Sequence, residues 1–267
     1  MTTYSRNRLF LATLVVLSST FTVSCDGNTN AERFVASQLV VDESPAGIYA
    51  GSFTSTGGAQ PVGSDVVGIV SEDHDVQIMV SAPSPIHYAG ELVVAGNALT
   101  ASLTEYRGGW ARFFGVDGVA VTTLIGSVTE GEGMSGDYAG SEDQGRFALQ
   151  YQGVYENGST LEQVSGIWFF NLAASGGEIY AISLDIDPNG GVFGADTAGC
   201  VFSGRISIIN SSFNSYRPNI EISDCGLFNG DYSGLAFVSD IGIGQGKLLR
   251  FSVSNDVFAF ATVFHKV

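Results

Sequence analysis

Oxygen-bearing side chains in the second half of the chain could hold a metal ion. The segment DIDPNGGVFGAD places donors at positions 1, 3, 5 and 12 of the spacing of a calcium-binding loop: Asp185, Asp187, Asn189 and Asp196. Such donors wrap around a hard cation, and Gly190 allows the sharp turn that the loop needs. The segment is also typical of a β-hairpin, because Asn-Gly is a turn dipeptide, Pro188 interrupts the loop and Asp replaces its closing Glu. We favour the hairpin and keep calcium as the weaker alternative.

A second cluster, SEDHD, places three carboxylates and an imidazole within the five residues from Ser71 to Asp75. It lies between the apolar runs VVGIV and VQIMV, so the pattern predicts the charged tip of a hairpin. The other two histidines, His87 and His265, are far from it in the sequence. We therefore expect all three histidines at the surface or at a rim of the fold, and not as catalytic bases or metal ligands.

The known signatures of nucleophilic and phosphate chemistry are incomplete in this sequence. No serine has a glycine two positions before and two positions after it, which excludes the nucleophile elbow of α/β-hydrolases. Gly246-Lys247 lacks the earlier glycine and the following Ser or Thr of a phosphate-binding loop. The cysteines show neither CxxC nor Cys/His spacing. We therefore expect no cofactor and no catalytic residue of these classes.

The first 25 residues carry a secretion signal. Arg6 and Arg8 precede an apolar stretch from Leu9 to Val16 that is too short to span a bilayer, which needs about 20 residues. The following Val-Ser-Cys ends at Cys25 and resembles the lipobox of bacterial lipoprotein precursors. That resemblance implies removal of residues 1–24, acylation of Cys25 and attachment to a membrane of the bacterial cell envelope. An ordinary signal peptide followed by an unrelated cysteine is the alternative.

The two remaining cysteines, Cys200 and Cys225, form an even pair in an oxidising compartment. The sequence between them reads as two strands joined by a polar turn. Because a hairpin brings its far ends together, we expect a disulfide between them, with two buried free thiols as the alternative.

The charge balance argues against two classes of partner. Without residues 1–24 the chain has 27 acidic and 9 basic residues, a formal net charge of −18 with neutral histidines. No basic patch is present to replace the counterions of a nucleic acid. We therefore expect no nucleic-acid partner, and contact with the membrane only through the N-terminal lipid.

Two-residue alternation of apolar and polar side chains predicts an all-β fold. It is clearest around Leu149, Leu184 and Phe251, and 35 glycines among 267 residues suit many tight turns. We expect a signal peptide (1–24), a lipidated N-terminus and tether (25–45), a first β half (46–162) and a second β half (163–267). Each half has room for about eight antiparallel strands, arranged as two small barrels or as one extended barrel or sandwich.

Short motifs recur in the two halves. Gly47-Ile48-Tyr49 aligns with Gly166-Ile167-Trp168, YAGEL (88–92) with FSGRI (202–206), and GDYAG (136–140) with GDYSG (230–234). The shared order indicates duplication, with the extra residues of the first half around TEYRGGWARFFGVDG. We expect the Gly-x-Tyr-x-Gly copies to begin strands. The alternative to duplication is that these copies arose independently in a glycine-rich β sequence.

Gly166-x-Trp168 and the strand rhythm after it resemble the opening of avidin- and lipocalin-type barrels, where this motif closes one barrel end. The resemblance implies a barrel able to hold a small apolar ligand, and it identifies no ligand-contacting residue. Two hypotheses on function follow. One is a non-catalytic envelope lipoprotein that binds a small molecule, a glycan or a protein. The other is an envelope hydrolase that acts on surface polymers through a carboxylate pair.

Overall fold

The computed structural model describes residues 42–56, 66–80, 85–110, 112–141, 143–173, 179–240 and 246–267, which belong to one compact unit. The first half forms a closed antiparallel barrel, with neighbours in the order β1-β10-β9-β8-β5-β4-β3-β2. Its strands are β1 (Gly47–Ser55), β2 (Val66–Val70), β3 (Asp75–Val80), β4 (Ile86–Ala95), β5 (Ala98–Arg107), β8 (Val119–Thr129), β9 (Gly133–Ala139) and β10 (Gln144–Tyr151). Two further short strands, β6 (Gly109–Trp110) and β7 (Phe113–Phe114), lie between β5 and β8.

The second half forms another eight-stranded antiparallel barrel, in which each strand pairs with the next along the chain. Its strands are β11 (Gly166–Ala173), β12 (Ile179–Ile186), β13 (Gly191–Asp196), β14 (Val201–Ile208), β15 (Tyr216–Ser223), β16 (Gly230–Asp240), β17 (Lys247–Ser254) and β18 (Ala259–Lys266). Closure rests on a short ladder between β11 and β18, where Trp168 faces Lys266 and Phe169 faces His265. The prediction of an all-β fold in two related halves is confirmed, in the form of two barrels.

The duplication is visible in matching contacts at the start of each barrel. The Tyr49 hydroxyl donates to the carbonyl of Pro45 at 2.8 Å, and the Trp168 indole donates to the carbonyl of Val164 at 2.5 Å. In both barrels the aromatic residue is buried and ties the first strand to the residue four positions earlier. The second pair of motifs, YAGEL and FSGRI, also matches, because Tyr88 and Phe202 are buried residues of the fourth strand in each barrel.

The third pair of motifs, GDYAG and GDYSG, was wrongly matched. Gly136 lies inside β9, the seventh strand of its barrel, whereas Gly230 begins β16, the sixth strand of the other. The expectation that every copy begins a strand therefore holds for Gly47 and Gly230 but not for Gly136. Gly136 instead allows β9 to pack closely against β8, because a Cβ there would lie 2.2 Å from the carbonyl oxygen of Ile125 on β8.

Short segments cover one end of each barrel. In the first barrel, the backbone N–H of Glu43 donates to Gly96 in the β4–β5 turn, so residues 42–45, assigned to the tether, pack on the fold. In the second, the four-residue helix α1 (Leu161–Val164) begins at a capping box in which Thr160 and Gln163 bond to each other's backbone. The Tyr216 hydroxyl also contacts Thr160 and Gln163, which holds α1 over the barrel end.

The β6–β7 hairpin leaves the first barrel and joins the second. We call residues 109, 110 and 112–114 the clamp. Phe113 and Phe114 pair with Phe260 and Ala259 of β18, at the end where β18 has separated from β11. The Phe113 side chain is fully buried in the core of the second barrel and stacks on Phe228, with ring centroids 4.2 Å apart. The extra residues of the first half therefore form one of the contacts between the two barrels.

The outer walls of the barrels also pack against each other. One contact joins Ile48 and Ile69 of the first barrel to Leu235 and Phe237 of the second. A 3-10 helix in the linker (Gly153–Asn157) adds Tyr155 to this contact. The second contact, beside the clamp, includes Ala89, Tyr106, Phe114, Ala259 and Ala261.

The predicted disulfide is present. Cys200 precedes β14 and Cys225 follows β15, and the two Cα atoms are 4.4 Å apart. Val201, the first residue of β14, and Ser223, the last residue of β15, are paired in the ladder. The bond therefore joins the ends of neighbouring strands at the barrel end opposite α1.

Candidate functional site

Side chains fill the described interior of each barrel. In the first, the Phe53 ring lies within 6 Å of the rings of Tyr88, Tyr138 and Phe147. In the second, Phe260 has ring neighbours at 5.1 Å, 5.4 Å and 6.3 Å: Phe113, Phe202 and Phe251. Eight strands enclose a space that side chains just fill. The described residues therefore leave no central ligand chamber like that implied by the resemblance to lipocalin-type barrels.

A polar cluster lies at the end of the first barrel that is remote from residues 42–45. Glu105 is only 5% exposed and accepts a hydrogen bond from the Thr122 hydroxyl. Asp143 accepts hydrogen bonds at 2.5 Å from Ser55 and from Tyr138. Burial raises the pKa of the Tyr138 hydroxyl, and the bond to Asp143 raises it further. Arg107 lies beside the cluster, with its Nε 4.0 Å from Glu105 Oε1, so the carboxylates contact neutral hydroxyl donors and one cation.

The buried carboxylate is specific to the first barrel. Glu105 is the register partner of Tyr88, and the matching partner of Phe202 in the second barrel is Ile222. An apolar residue therefore fills this position in one copy, so the fold itself does not need a carboxylate here. Access to Glu105 is restricted by its burial, and Gly140 packs close to it, since a Cβ at Gly140 would lie 2.8 Å from Glu105 Oε2. The cluster resembles a catalytic carboxylate pair in composition but lacks an open cleft in the described residues.

The contact between the barrels contains a histidine that we expected at a surface or rim. His87 is fully buried, and its Nε2 lies 2.6 Å from the Ser252 hydroxyl of the second barrel. Burial lowers the pKa of His87 to about 3. The surface assignment was wrong because His87 points outward from its own barrel, onto a wall that the other barrel covers. A cavity of about 30 Å³ between β2, β3, β16 and β17 has room for about one water molecule.

The acidic segment Ser71–Asp75 forms the β2–β3 turn, as predicted, but it does not point freely into solvent. Arg217 of the second barrel donates to Asp75 at 2.5 Å and to Asp73 at 3.2 Å. His74 adopts a positive φ of 68° at the turn. These acids therefore have a structural partner and contribute to the contact between the barrels.

The candidate calcium ligands are spread along a hairpin. Asp187 lies at the β12–β13 turn and accepts hydrogen bonds from the backbone of Asn189 and Gly191. Asp196 faces Ile182 at the far end of this hairpin, so about 15 Å of strand separates it from Asp187. Asp185 is exposed on β12. The four residues therefore do not converge on one cation, and the described residues contain no group of three or more His, Cys, Asp or Glu that could hold a metal.

Open grooves lie beside two copies of the Gly-Asp-Tyr motif. On the first barrel, a groove of about 260 Å³ is lined in part by Asp137. Arg146 is its cross-strand neighbour, with Nε 3.7 Å from Asp137 Oδ1. On the second barrel, a groove of about 410 Å³ over β14, β15 and β16 is lined in part by Glu221 and Asp231. We call this the acidic groove, because these two carboxylates face each other in the ladder.

Exposed apolar side chains occur on both barrels, and one group lies on the second barrel next to the acidic groove. Six large residues on four neighbouring strands are at least 37% exposed: Ile167, Phe169, Leu172, Ile179, Phe193 and Val201. Among the described aromatic residues, Phe193 has the largest exposed fraction, at 59%. Polar residues separate them in the ladder, since Asp185 lies between Ile167 and Phe193 and Ser183 faces Phe169. Strand alternation locates these residues on an outer wall, except Leu172, which is on the same side of β11 as the buried Trp168 and Phe170, but it does not indicate which outer wall lacks a partner.

Cys25 lies outside the described residues. In the part of the chain that is described, no helix has the length and apolar character needed to cross a membrane.

In comparisons with known proteins, no protein-family model, curated protein or solved structure matches this chain.

Proposed function

We propose that the protein is a lipid-anchored component of the bacterial cell envelope whose two barrels form a non-catalytic binding module. The observation that carries this proposal is the filled interior of both barrels, which leaves the outer walls as the binding surfaces. The exposed apolar side chains on the second barrel support it further. The anchor rests on Cys25 and the signal-like residues before it.

The arrangement of carboxylates favours binding over hydrolysis. A glycosidase needs an accessible pair of carboxyl groups, one of which stays protonated because its surroundings are apolar. Glu105 is buried beside Gly140, whereas Glu221 and Asp231 are both exposed on an open wall. Neither pair combines access with burial. The alternative of an envelope hydrolase therefore lacks a suitable pair among the described residues.

Two experiments test the proposal. Metabolic labelling with a fatty-acid analogue should label the wild-type protein and not the Cys25→Ser variant, and this variant should leave the membrane fraction. Purified protein incubated with chromogenic esters, glycosides, phosphates and peptides should show no turnover. Steady turnover that Glu105→Gln or Glu221→Gln abolishes would establish an enzyme. A Cys25→Ser protein that stays with the membrane would refute the lipid anchor.

A further inference from the structure

The acidic groove has an unfavourable charge arrangement that the fold does not relieve. Glu221 and Asp231 are both exposed and directly opposite each other on β15 and β16, where like charges destabilise a sheet. Among the described residues, no Lys, Arg or His nitrogen lies within 4.0 Å of either carboxylate. Arg205 on β14 donates instead to the carbonyl of Asn189 at 2.7 Å, away from the groove.

The first barrel shows that this arrangement is not a requirement of the fold. By strand order, β15 and β16 correspond to β5 and β8, and the residues equivalent to Glu221 and Asp231 are the uncharged pair Thr104 and Val121. The other Gly-Asp-Tyr motif, on the non-equivalent strand β9, has its Asp137 paired with Arg146. Unfavourable local arrangements that a protein retains are commonly tied to function. The negative charge of the acidic groove therefore calls for a cation from outside the chain.

An aromatic side chain lies next to the acidic groove. Phe193 on β13 faces Ser203 on β14, and Ser203 in turn faces Glu221. Neighbouring strands are about 4.8 Å apart, so the Phe193 position lies about 10–15 Å from the two carboxylates. An acidic site and an exposed aromatic side chain thus share one side of the barrel wall.

From this juxtaposition we propose that the acidic groove binds a basic, partly apolar polypeptide segment of a protein partner. This inference rests on the proposed function and specifies the partner of that binding module. One Lys or Arg of the segment lies between Glu221 and Asp231, and an apolar side chain packs on Phe193. In an extended chain a distance of 10–15 Å corresponds to three or four residues, which sets the spacing of the two side chains. The chain carries a large excess of acidic residues, so its surface repels acidic partners. Charge complementarity therefore favours a basic segment.

The test uses fluorescence anisotropy with labelled 12-residue peptides in a Gly/Ser background. The probe carries two leucines, each followed four positions later by a lysine. One control replaces the lysines by glutamate, and the other replaces the leucines by serine. We expect the wild-type protein to bind the probe at least tenfold more tightly than the glutamate control and about threefold or more tighter than the serine control. Binding of the probe should weaken with added salt.

Variants locate the binding to the groove. Glu221→Arg places a basic residue opposite Asp231 and so replaces like charges by an ion pair; its melting temperature should equal or exceed that of the wild type while probe affinity falls at least tenfold. Phe193→Ser should weaken binding of the probe about threefold or more and leave the affinity for the serine control unchanged. The matched control, Asp137→Asn on the first barrel, should bind the probe like the wild type.

Three results would overturn the inference: no preference for the probe over the glutamate control, undiminished affinity in folded Glu221→Arg, or an equal loss in Asp137→Asn. Each of these leaves the proposed function standing if the protein still shows no turnover. Turnover of a substrate would instead refute the proposed function.

Discussion

Two polar side chains in this protein are buried for different reasons. Glu105 points into its own barrel, at a position that Ile222 occupies in the second copy. His87 points out of its barrel and is covered by the neighbouring one, between the rings of Tyr106 and Phe114 and the hydroxyl of Ser252. The His87 Nδ1 is buried without a hydrogen-bond partner. The contact between the barrels therefore contains a group that must remain neutral.

His87 should make the stability of the protein depend on pH. Its folded-state pKa, about 3, lies below the unfolded value of about 6.5, so the unfolded state takes up a proton first as the pH falls. The contribution of neutral His87 to the free energy of unfolding is then complete above pH 6.5. Below pH 6.5 it decreases by up to about 1.4 kcal/mol per pH unit, until about pH 3. Urea unfolding at intervals between pH 7.5 and 4.5 measures this slope.

The control is His87→Gln, which keeps a polar side chain and removes the titration. Carboxylates contribute to the pH dependence of both proteins, so the difference between the two slopes isolates His87. Unfolding free energies that fall in parallel for both proteins would show that His87 is protonated in the folded state without penalty.

These residues also show what strand alternation predicts and what it does not. The period of two correctly separates inward from outward positions, and it puts Tyr88 inside and His87 outside. Which outward wall a second barrel covers depends on packing between elements distant in sequence, which leaves no periodic signal. The acidic groove was missed for a similar reason, because Glu221 and Asp231 become neighbours only through the register of β15 and β16.

At the scale of elements, the clamp is where the two barrels differ most. Eleven residues connect β5 to β8, whereas six connect the equivalent strands β15 and β16. The clamp uses the added length to reach β18, where the carbonyl of Arg112 accepts a hydrogen bond from Ala261 at 3.1 Å. The Arg112 guanidinium lies over the Phe170 ring of β11, 4.6 Å from its centroid. The clamp therefore contacts both strands at the incompletely paired part of the second barrel.

Shortening the clamp side chain at Phe113 should destabilise the protein strongly. Phe113→Ala removes a fully buried ring that stacks on Phe228 and packs against Phe260, and such truncations cost about 3–5 kcal/mol. Urea unfolding monitored by circular dichroism gives this free energy. The matched control is Val116→Ala, an exposed residue after the clamp, which should change stability by about 0.5 kcal/mol or less. A Phe113→Ala protein as stable as the control would show that the clamp is dispensable.

The elements themselves were predictable to different degrees. Long strands such as β12 and β17 were visible because their apolar residues recur at every second position. The two-residue strands β6 and β7 and the four-residue helix α1 are too short to show any period. The comparison of the two halves did locate the inserted residues, but their destination in the other barrel depends on tertiary packing alone.

At the scale of the whole molecule, the two barrels share several independent contacts. The clamp adds a side chain to the second core, the outer walls form two apolar contacts, and Arg217 pairs with Asp73 and Asp75 across the boundary. Asn214 of the second barrel also bonds to the linker, with its side-chain amide 3.1 Å from the carbonyl of Val154. Because neither barrel completes its buried surface alone, we expect them to unfold together.

Cooperative unfolding can be tested with the disulfide as a local perturbation, because both of its cysteines lie in the second barrel. Calorimetry of the oxidised protein should show one transition, with calorimetric and van't Hoff enthalpies in a ratio near 1. Opening the Cys200–Cys225 loop with a reductant should cost about 3 kcal/mol in the chain-entropy model, or about 6–12 °C in melting temperature for a protein of this size. If the barrels are coupled, the whole transition moves by that amount and stays single. If they are independent, the reductant lowers the transition of the second barrel and leaves a separate one at the original temperature, an outcome that would contradict the role assigned to the clamp.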